Sequence, residues 1–193
     1  MTDARSGRGP WRDRIIVVTG STSGIGRQFA IHFAAEGAKV IACGRNDMAL
    51  RKLQTEHPTI EAVQCDITVR PNVLALVETI RDRYGMLDVL VNNAGIMERV
   101  DLVEESVSDE RIAHARRQLR GVGIRVVEVL PPLVDTPATR TVSKAKMSPA
   151  ALVDQVMRDI SHGKDEIMPG KVRLLPMLMR LAPALTARLV AES

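Results

Sequence analysis

Apolar positions along this chain follow two rhythms that take turns. Short aliphatic runs rich in β-branched residues alternate with longer stretches whose apolar residues recur every three or four positions. The run "RIIVVTG" at 14–20 reads as a strand stopped by Gly20. The next stretch, 24–37, carries Ile25, Phe29 and Phe33 on one helical face and meets a stop at Gly37. "AKVIACG" at 38–44 predicts a second strand. A helix follows over 46–58, with Asn46 or Asp47 as its cap and Pro58 just past its end. A third strand is expected over 60–68. A helix over 70–85 has Pro71 near its first turn, and a fourth strand spans 87–95.

After residue 95 the rhythm weakens. Residues 108–121 predict a helix of thin apolar content, closed by Gly121. "IRVVEVLPP" at 124–132 predicts another strand, and 148–163 a capped helix ending at Gly163. "DEIMPG" at 165–170 has room for a short last strand. Residues 172–192 are apolar and helical in pattern, interrupted by Pro176 and Pro183. Strands alternating with helices point to the α/β class, with a parallel sheet covered on both faces. No internal repeat or second domain stands out. The expected organisation is a basic tail over 1–13 and a single domain over 14–193.

Composition narrows the functions open to such a fold. Apolar residues make up 45% of the 193, enough for one sizeable core. Four aromatic residues leave almost no stacking platforms, so a single-stranded nucleic acid is not an expected partner. The net charge of +4 comes from interspersed acids and bases and identifies no polyanionic partner. The arginine-rich start lacks the apolar stretch of a secretory signal, and it reads as a solvated tail or, alternatively, a targeting arm. Cys43 and Cys65 fall in strand-like runs and read as buried free thiols of a reducing compartment. With no uninterrupted run long enough to cross a bilayer, the expected location is the cytoplasm. His32, His57, His114 and His162 lack metal-ligand spacing, so no metal site is expected.

The strongest local signal is "TGSTSGIG" at 19–26, between a strand and a helix. Gly20 permits a tight turn, Gly24 lets backbone approach a ligand, and Gly26 lets helix pack on strand. The amides of the helix start then face an anion such as a pyrophosphate. Asp66 ends the third strand and "NNAG" (92–95) the fourth, so all three features lie on the carboxyl edge of the sheet, where such folds bind ligands. Where the second strand ends, an acid would bond the 2′-hydroxyl of NAD. This chain has Cys43, Gly44 and Arg45 there, and a guanidinium suits a 2′-phosphate. NADP(H) is therefore favoured over NAD(H).

"TGSTSGIG", "CDIT" and "NNAG", in that order, resemble the short-chain dehydrogenase/reductase family over residues 14 to about 95, and again from about 115 onward. The resemblance implies a Rossmann-like three-layer α/β/α fold and hydride transfer between NAD(P)(H) and an alcohol or carbonyl substrate. It implies a cofactor site built from Gly20, Ser21, Ser23, Gly24, Ile25 and Gly26, with Asp66 and Ile67 at the adenine. Asn92, Ala94 and Gly95 would line the cofactor beneath the adenosine ribose. "PPLVDT" (131–136) is similar to the family's Pro-Gly loop, which would bring Pro131, Val134 and Thr136 to the nicotinamide; Pro132 stands where glycine is usual.

The catalytic members have no counterpart. The family uses a tyrosine, a lysine four residues on, a serine and an asparagine; a phenol needs a nearby cation to act near neutral pH. The one tyrosine here, Tyr84, is followed four residues later by Asp88 and precedes the fourth strand, which places it at the amino edge. No catalytic residue is carried over. Between Asn93 and Pro131 there is room for one helix and one strand, against two of each in the family. The deficit is about 50 residues, more than one βα unit. The seam falls near His114–Ala115, and the sheet is expected to be shortened by about one strand–helix unit, with 124–130 beside the fourth strand.

Three functions follow as expectations: a cofactor-binding remnant that has lost hydride transfer, a working oxidoreductase with an unrecognised donor, or a non-enzymatic interaction module. Ser143, Lys144 and Lys146 are conceivable donors for the second, though a solvated loop is the plainer reading. For the third, residues 172–192 place Arg173, Arg180 and Arg188 apart from a leucine face. That pattern suits core or subunit packing better than a membrane surface. A homo-oligomer is left open by the resemblance.

Overall fold

The computed structural model describes residues 9–95, 114 and 116–170. They fall into two compact units, Met1–Ile96 with Asp135–Val142, and Met97–Val134 with Ser143–Ser193. The expected helix over 172–192, the start of the basic tail and all of 96–113 lie outside the described residues.

The first unit runs β1 (Ile15–Thr19), α1 (Gly24–Ala35), β2 (Lys39–Gly44), α2 (Asp47–Glu56), β3 (Ile60–Gln64), α3 (Arg70–Tyr84) and β4 (Val89–Val91). The four strands are parallel in the order β3-β2-β1-β4. Consecutive side chains of a strand point to opposite faces. Ile15, Val17, Ile41 and Cys43 thus share one face and pack with Cys65, Leu76 and Ile80, the last two from α3. The alternate set, Ile16, Val18, Val40 and Ala42, is also buried, on the face where α1 adds Phe29 and Phe33 and α2 adds Leu50 and Leu53. Burial on both faces explains why the first two strands are unbroken apolar runs. This is the three-layer α/β/α Rossmann-like arrangement.

Local signals end the elements where the sequence places them. Asn46 Oδ1 accepts from Ala49 N at 3.1 Å and caps α2. Pro71 sits in the first turn of α3, and Gly85 closes that helix in the left-handed conformation. Ordered packing begins ahead of β1, because Trp11 meets Phe33 edge to face at 5.1 Å. No helix among the described residues is long and apolar enough to cross a membrane.

Both cysteines are free and buried. Burial pushes the Cys43 thiol up to about 12, with the adjacent Cys65 adding to the effect; burial also raises Cys65. A thiol reacts as its thiolate. Native protein at pH 8 is therefore expected to leave both thiols unmodified by iodoacetamide, and denatured protein to show two. Mass spectrometry before and after unfolding checks this; rapid native labelling of Cys43 would contradict it.

The second unit holds a helical stretch at 116–120, β5 (Glu128–Val129), α4 (Pro149–Ser161) and β6 (Glu166–Ile167). Ser148 Oγ caps α4 by accepting from Ala151 N, and the helix buries Leu152, Val153, Val156 and Met157. Asp165 is the hub of its polar contacts. Arg125 Nε donates to Asp165 Oδ1 at 2.6 Å and holds that carboxyl below the usual range, while Arg116 Nη2 donates to its backbone carbonyl.

The sequence expectation for 124–132 needs correction. Glu128 and Val129 alone form a strand, and they pair in parallel with Glu166–Ile167 in a separate two-stranded sheet rather than with β4. Pro131 and Pro132 lack the N–H donors that would extend a ladder. The intervening α4 also offers a local crossover, which closes a parallel pair at lower chain-entropy cost than a distant strand.

Candidate functional site

The carboxyl edge of the first sheet is built around the turn after β1. Gly20 and Gly24 adopt positive φ, +69° and +57°. Ser21 is fully buried: its Oγ donates to Val18 O at 2.6 Å and its N–H to Cys43 O at 3.0 Å, folding the turn back over the end of β2. Thr19 Oγ1 accepts from Asn93 N and Ala94 N, both at 2.9 Å. Asn93 Nδ2 donates in return to Thr19 O at 3.1 Å. A Cβ on Gly26 would strike that amide and sit 2.5 Å from Gly20 O. The loops after β1 and β4 therefore interlock, and glycine at 26 is what lets them.

The start of α1 is open to an anion. Its N-cap, Ser23, makes no side-chain capping bond, whereas Asn46 and Ser148 both cap their helices. Ser23 thus leaves the first-turn N–H groups of α1 without an acceptor from their own cap, and the helix dipole favours negative charge there. In the first unit's last segment, 135–142, Pro137–Thr139 form a 3₁₀ turn that Thr136 caps through Thr139. A Cβ on Gly24 would lie 3.0 Å from Thr136 Cγ2. Thr136 is thus brought to the glycine-rich turn.

Beyond the ends of β2 and β3 lies a cleft of about 500 Å³ lined by Arg45, Gln64, Asp66 and Asn72 among others. Asp66 Oδ1 accepts from Thr68 N at 3.0 Å and Thr68 Oγ1 at 2.8 Å. These bonds hold its carboxyl below the usual range, with help from the charge of Arg45. Ile67 is 40% exposed beside it. The Arg45 carbonyl is fastened by Gln64 Nε2 at 3.1 Å. Its exposed guanidinium makes no ion pair among the described residues, unlike Arg14, Arg27, Arg51 and Arg83.

Gly20, Ser21, Ser23, Gly24, Ile25, Gly26, Arg45, Asp66, Ile67, Asn92, Ala94, Gly95 and Thr136 all belong to the first unit. Pro131 and Val134 belong to the second, where Val134 is buried and bridges Met147. Sequence reasoning passed over Thr19 and Asn93, which tie the two loops together. A threonine closing a buried strand was the available signal, since its hydroxyl has to find partners.

Tyr84 sits away from this edge. Its hydroxyl donates to Glu61 Oε2 at 2.6 Å, and that bond, with burial, raises the phenol above its usual range. Asp88, where a catalytic lysine would fall, binds Arg14 and the N–H of Ile15, the first residue of β1. Tyr84 and Asp88 are therefore amino-edge structural residues.

The geometry defines a Rossmann-type nucleotide site, and comparison with known proteins identifies its lineage. Residues 14–115 match the short chain dehydrogenase family, to which this chain belongs. The 3β-hydroxysteroid dehydrogenase of Mediterraneibacter gnavus is 42% identical over 106 residues, 53% of this chain and 38% of that protein. Mouse dehydrogenase/reductase SDR family member 7B is 38% identical over 110 residues, 52% of this chain and 33% of that protein. The chain thus spans well under half the length of these curated relatives. Among solved structures, a short chain dehydrogenase from Burkholderia cenocepacia in complex with NADP superposes with a TM-score of 0.80 at 21% identity, over 93% of this chain and 98% of that one. One from Burkholderia phymatum in complex with NAD gives 0.73 at 15%, over 89% and 95%. At such identities these two show the fold alone.

Proposed function

We propose that this chain binds a nicotinamide dinucleotide at the carboxyl edge of its first sheet, favours NADP(H) over NAD(H), and does not transfer hydride by the tyrosine–lysine route of its family. The carrying observation is the pairing of an α1 start whose N-cap makes no side-chain capping bond with the guanidinium of Arg45, just past β2, which makes no ion pair among the described residues. The first suits a pyrophosphate and the second a 2′-phosphate. Asp66 and Ile67 would take the adenine, Asn92, Ala94 and Gly95 the ribose side, and Thr136 the nicotinamide side. The bound dinucleotide would supply the hydride chemistry. The chain's own part is to hold it, because the sequence contains no tyrosine followed four residues later by lysine.

Thermal melting with each dinucleotide tests the cofactor assignment. A ligand at one hundred times its Kd that binds only the native state adds about 2.7 kcal/mol. NADPH is expected to raise the melting temperature more than NADH, and Arg45→Ala to erase the difference. A transition moved by neither would refute the site. NADPH consumption with carbonyl substrates is expected to stay at the blank rate; turnover above it would point to a working enzyme with another proton donor.

A further inference from the structure

Gly44 is the last residue of β2 and lies about 20 positions beyond the glycine-rich turn, where an acid in a Rossmann site bonds the ribose 2′-hydroxyl of NAD. The space beside it is taken. A Cβ on Gly44 would stand 2.8 Å from Thr22 Cγ2, closer than real Cβ atoms approach. The same Cβ would clear Thr22 Oγ1 by 3.8 Å and Thr22 Cβ by 3.9 Å. The obstruction is therefore a single methyl group.

Neither side yields easily. Thr22 is β-branched, which restricts its χ1 to few rotamers. The residue before it is anchored twice, by Ser21 N to Cys43 O and Ser21 Oγ to Val18 O. Gly44 is held in the ladder opposite Gln64, and its carbonyl accepts from Cys65 N at 2.9 Å.

We infer that Thr22 is a specificity-determining residue: its methyl keeps position 44 free of a side chain, which denies the site an acid for NAD and leaves the 2′ position to Arg45. The inference rests on the proposed dinucleotide site. It makes cofactor choice a property of the Thr22–Gly44 pair. An acid placed at 44 can serve NADH only once Thr22 is trimmed.

The test uses the full chain in four forms: wild type, Thr22→Ala, Gly44→Asp and the double variant. Each is melted without cofactor and titrated with NADPH and NADH. Gly44→Asp alone is expected to melt lower and to gain no affinity for NADH. The double variant is expected to recover melting temperature and to bind NADH about tenfold or more tighter than Gly44→Asp does. Gly44→Ala, alone and with Thr22→Ala, repeats the steric comparison without the charge and serves if Gly44→Asp does not fold. Strictly additive melting shifts in that cycle overturn the inference, because neighbours in contact couple. So does a Gly44→Asp variant that takes NADH as well as the double variant does, while wild type binds NADPH. A wild type that binds neither dinucleotide instead overturns the site itself, and the inference with it.

Discussion

Gly26→Ala is expected to be the most damaging single-methyl change at the nucleotide edge. The added Cβ would meet Gly20 O at 2.5 Å and the Asn93 amide nitrogen as well. Gly20 O is backbone, and the Asn93 amide is committed to Thr19 O, so neither can swing aside cheaply. Overpacking of this kind costs about 3 kcal/mol. In a domain of this size that is a fall of roughly 6–12 °C in melting temperature. Relief requires the loops after β1 and β4 to separate, and the same movement would shift the α1 start, the proposed pyrophosphate site. The variant is therefore expected to lose the NADPH-induced rise in melting temperature together with its stability. Melting with and without NADPH reads both effects, and a Gly26→Ala protein that melts like wild type would show that the two loops do not interlock.

Asp88→Ala is expected to cost a similar amount and to leave the nucleotide edge alone. The Asp88 side chain is 4% exposed. It accepts from Arg14 Nη1 and from Ile15 N, both at 2.8 Å. Truncation leaves a guanidinium without this carboxylate and a backbone N–H without its acceptor at the first residue of a central strand. Breaking a buried pair from one side costs about 3–5 kcal/mol, and the lower end applies because Arg14 retains 30% exposure to solvent. Asp88→Asn keeps one acceptor oxygen for the N–H of Ile15 and is expected to lose less. Because Asp88 lies at the amino end of the sheet, the dinucleotide Kd of folded Asp88→Ala protein is expected to match wild type. Chemical denaturation and cofactor titration separate the two quantities, and a large change in Kd would mean the two edges are coupled.

Much of this was legible in the residues. The first two strands are near-continuous apolar runs because both faces of the sheet are covered. The helix starts at Asn46 and Ser148 and the stop at Gly85 are local chemistry that a sequence carries openly. The order of the glycine-rich turn, Asp66 and "NNAG" brought the three to the carboxyl edge of one sheet, where β1, β3 and β4 end. The pairing of 124–130 was not legible in the same way. Periodicity marks a segment as extended but does not name its neighbour, and β5 met β6 across α4. Thr22 was silent too. It is an ordinary turn residue by type, and only the tertiary structure lays its methyl against Gly44.

The sequence by itself determined the class of fold, the family, the edge on which the glycine-rich turn, Asp66 and "NNAG" gather and the lack of the tyrosine–lysine pair, because each of these rests on residue types at short spacing. Tertiary structure alone decided which strand pairs with which, that Thr19 and Asn93 lock two loops together, and that one threonine methyl closes position 44. Those facts are contacts between residues far apart in the chain, and no local pattern encodes the distance between them.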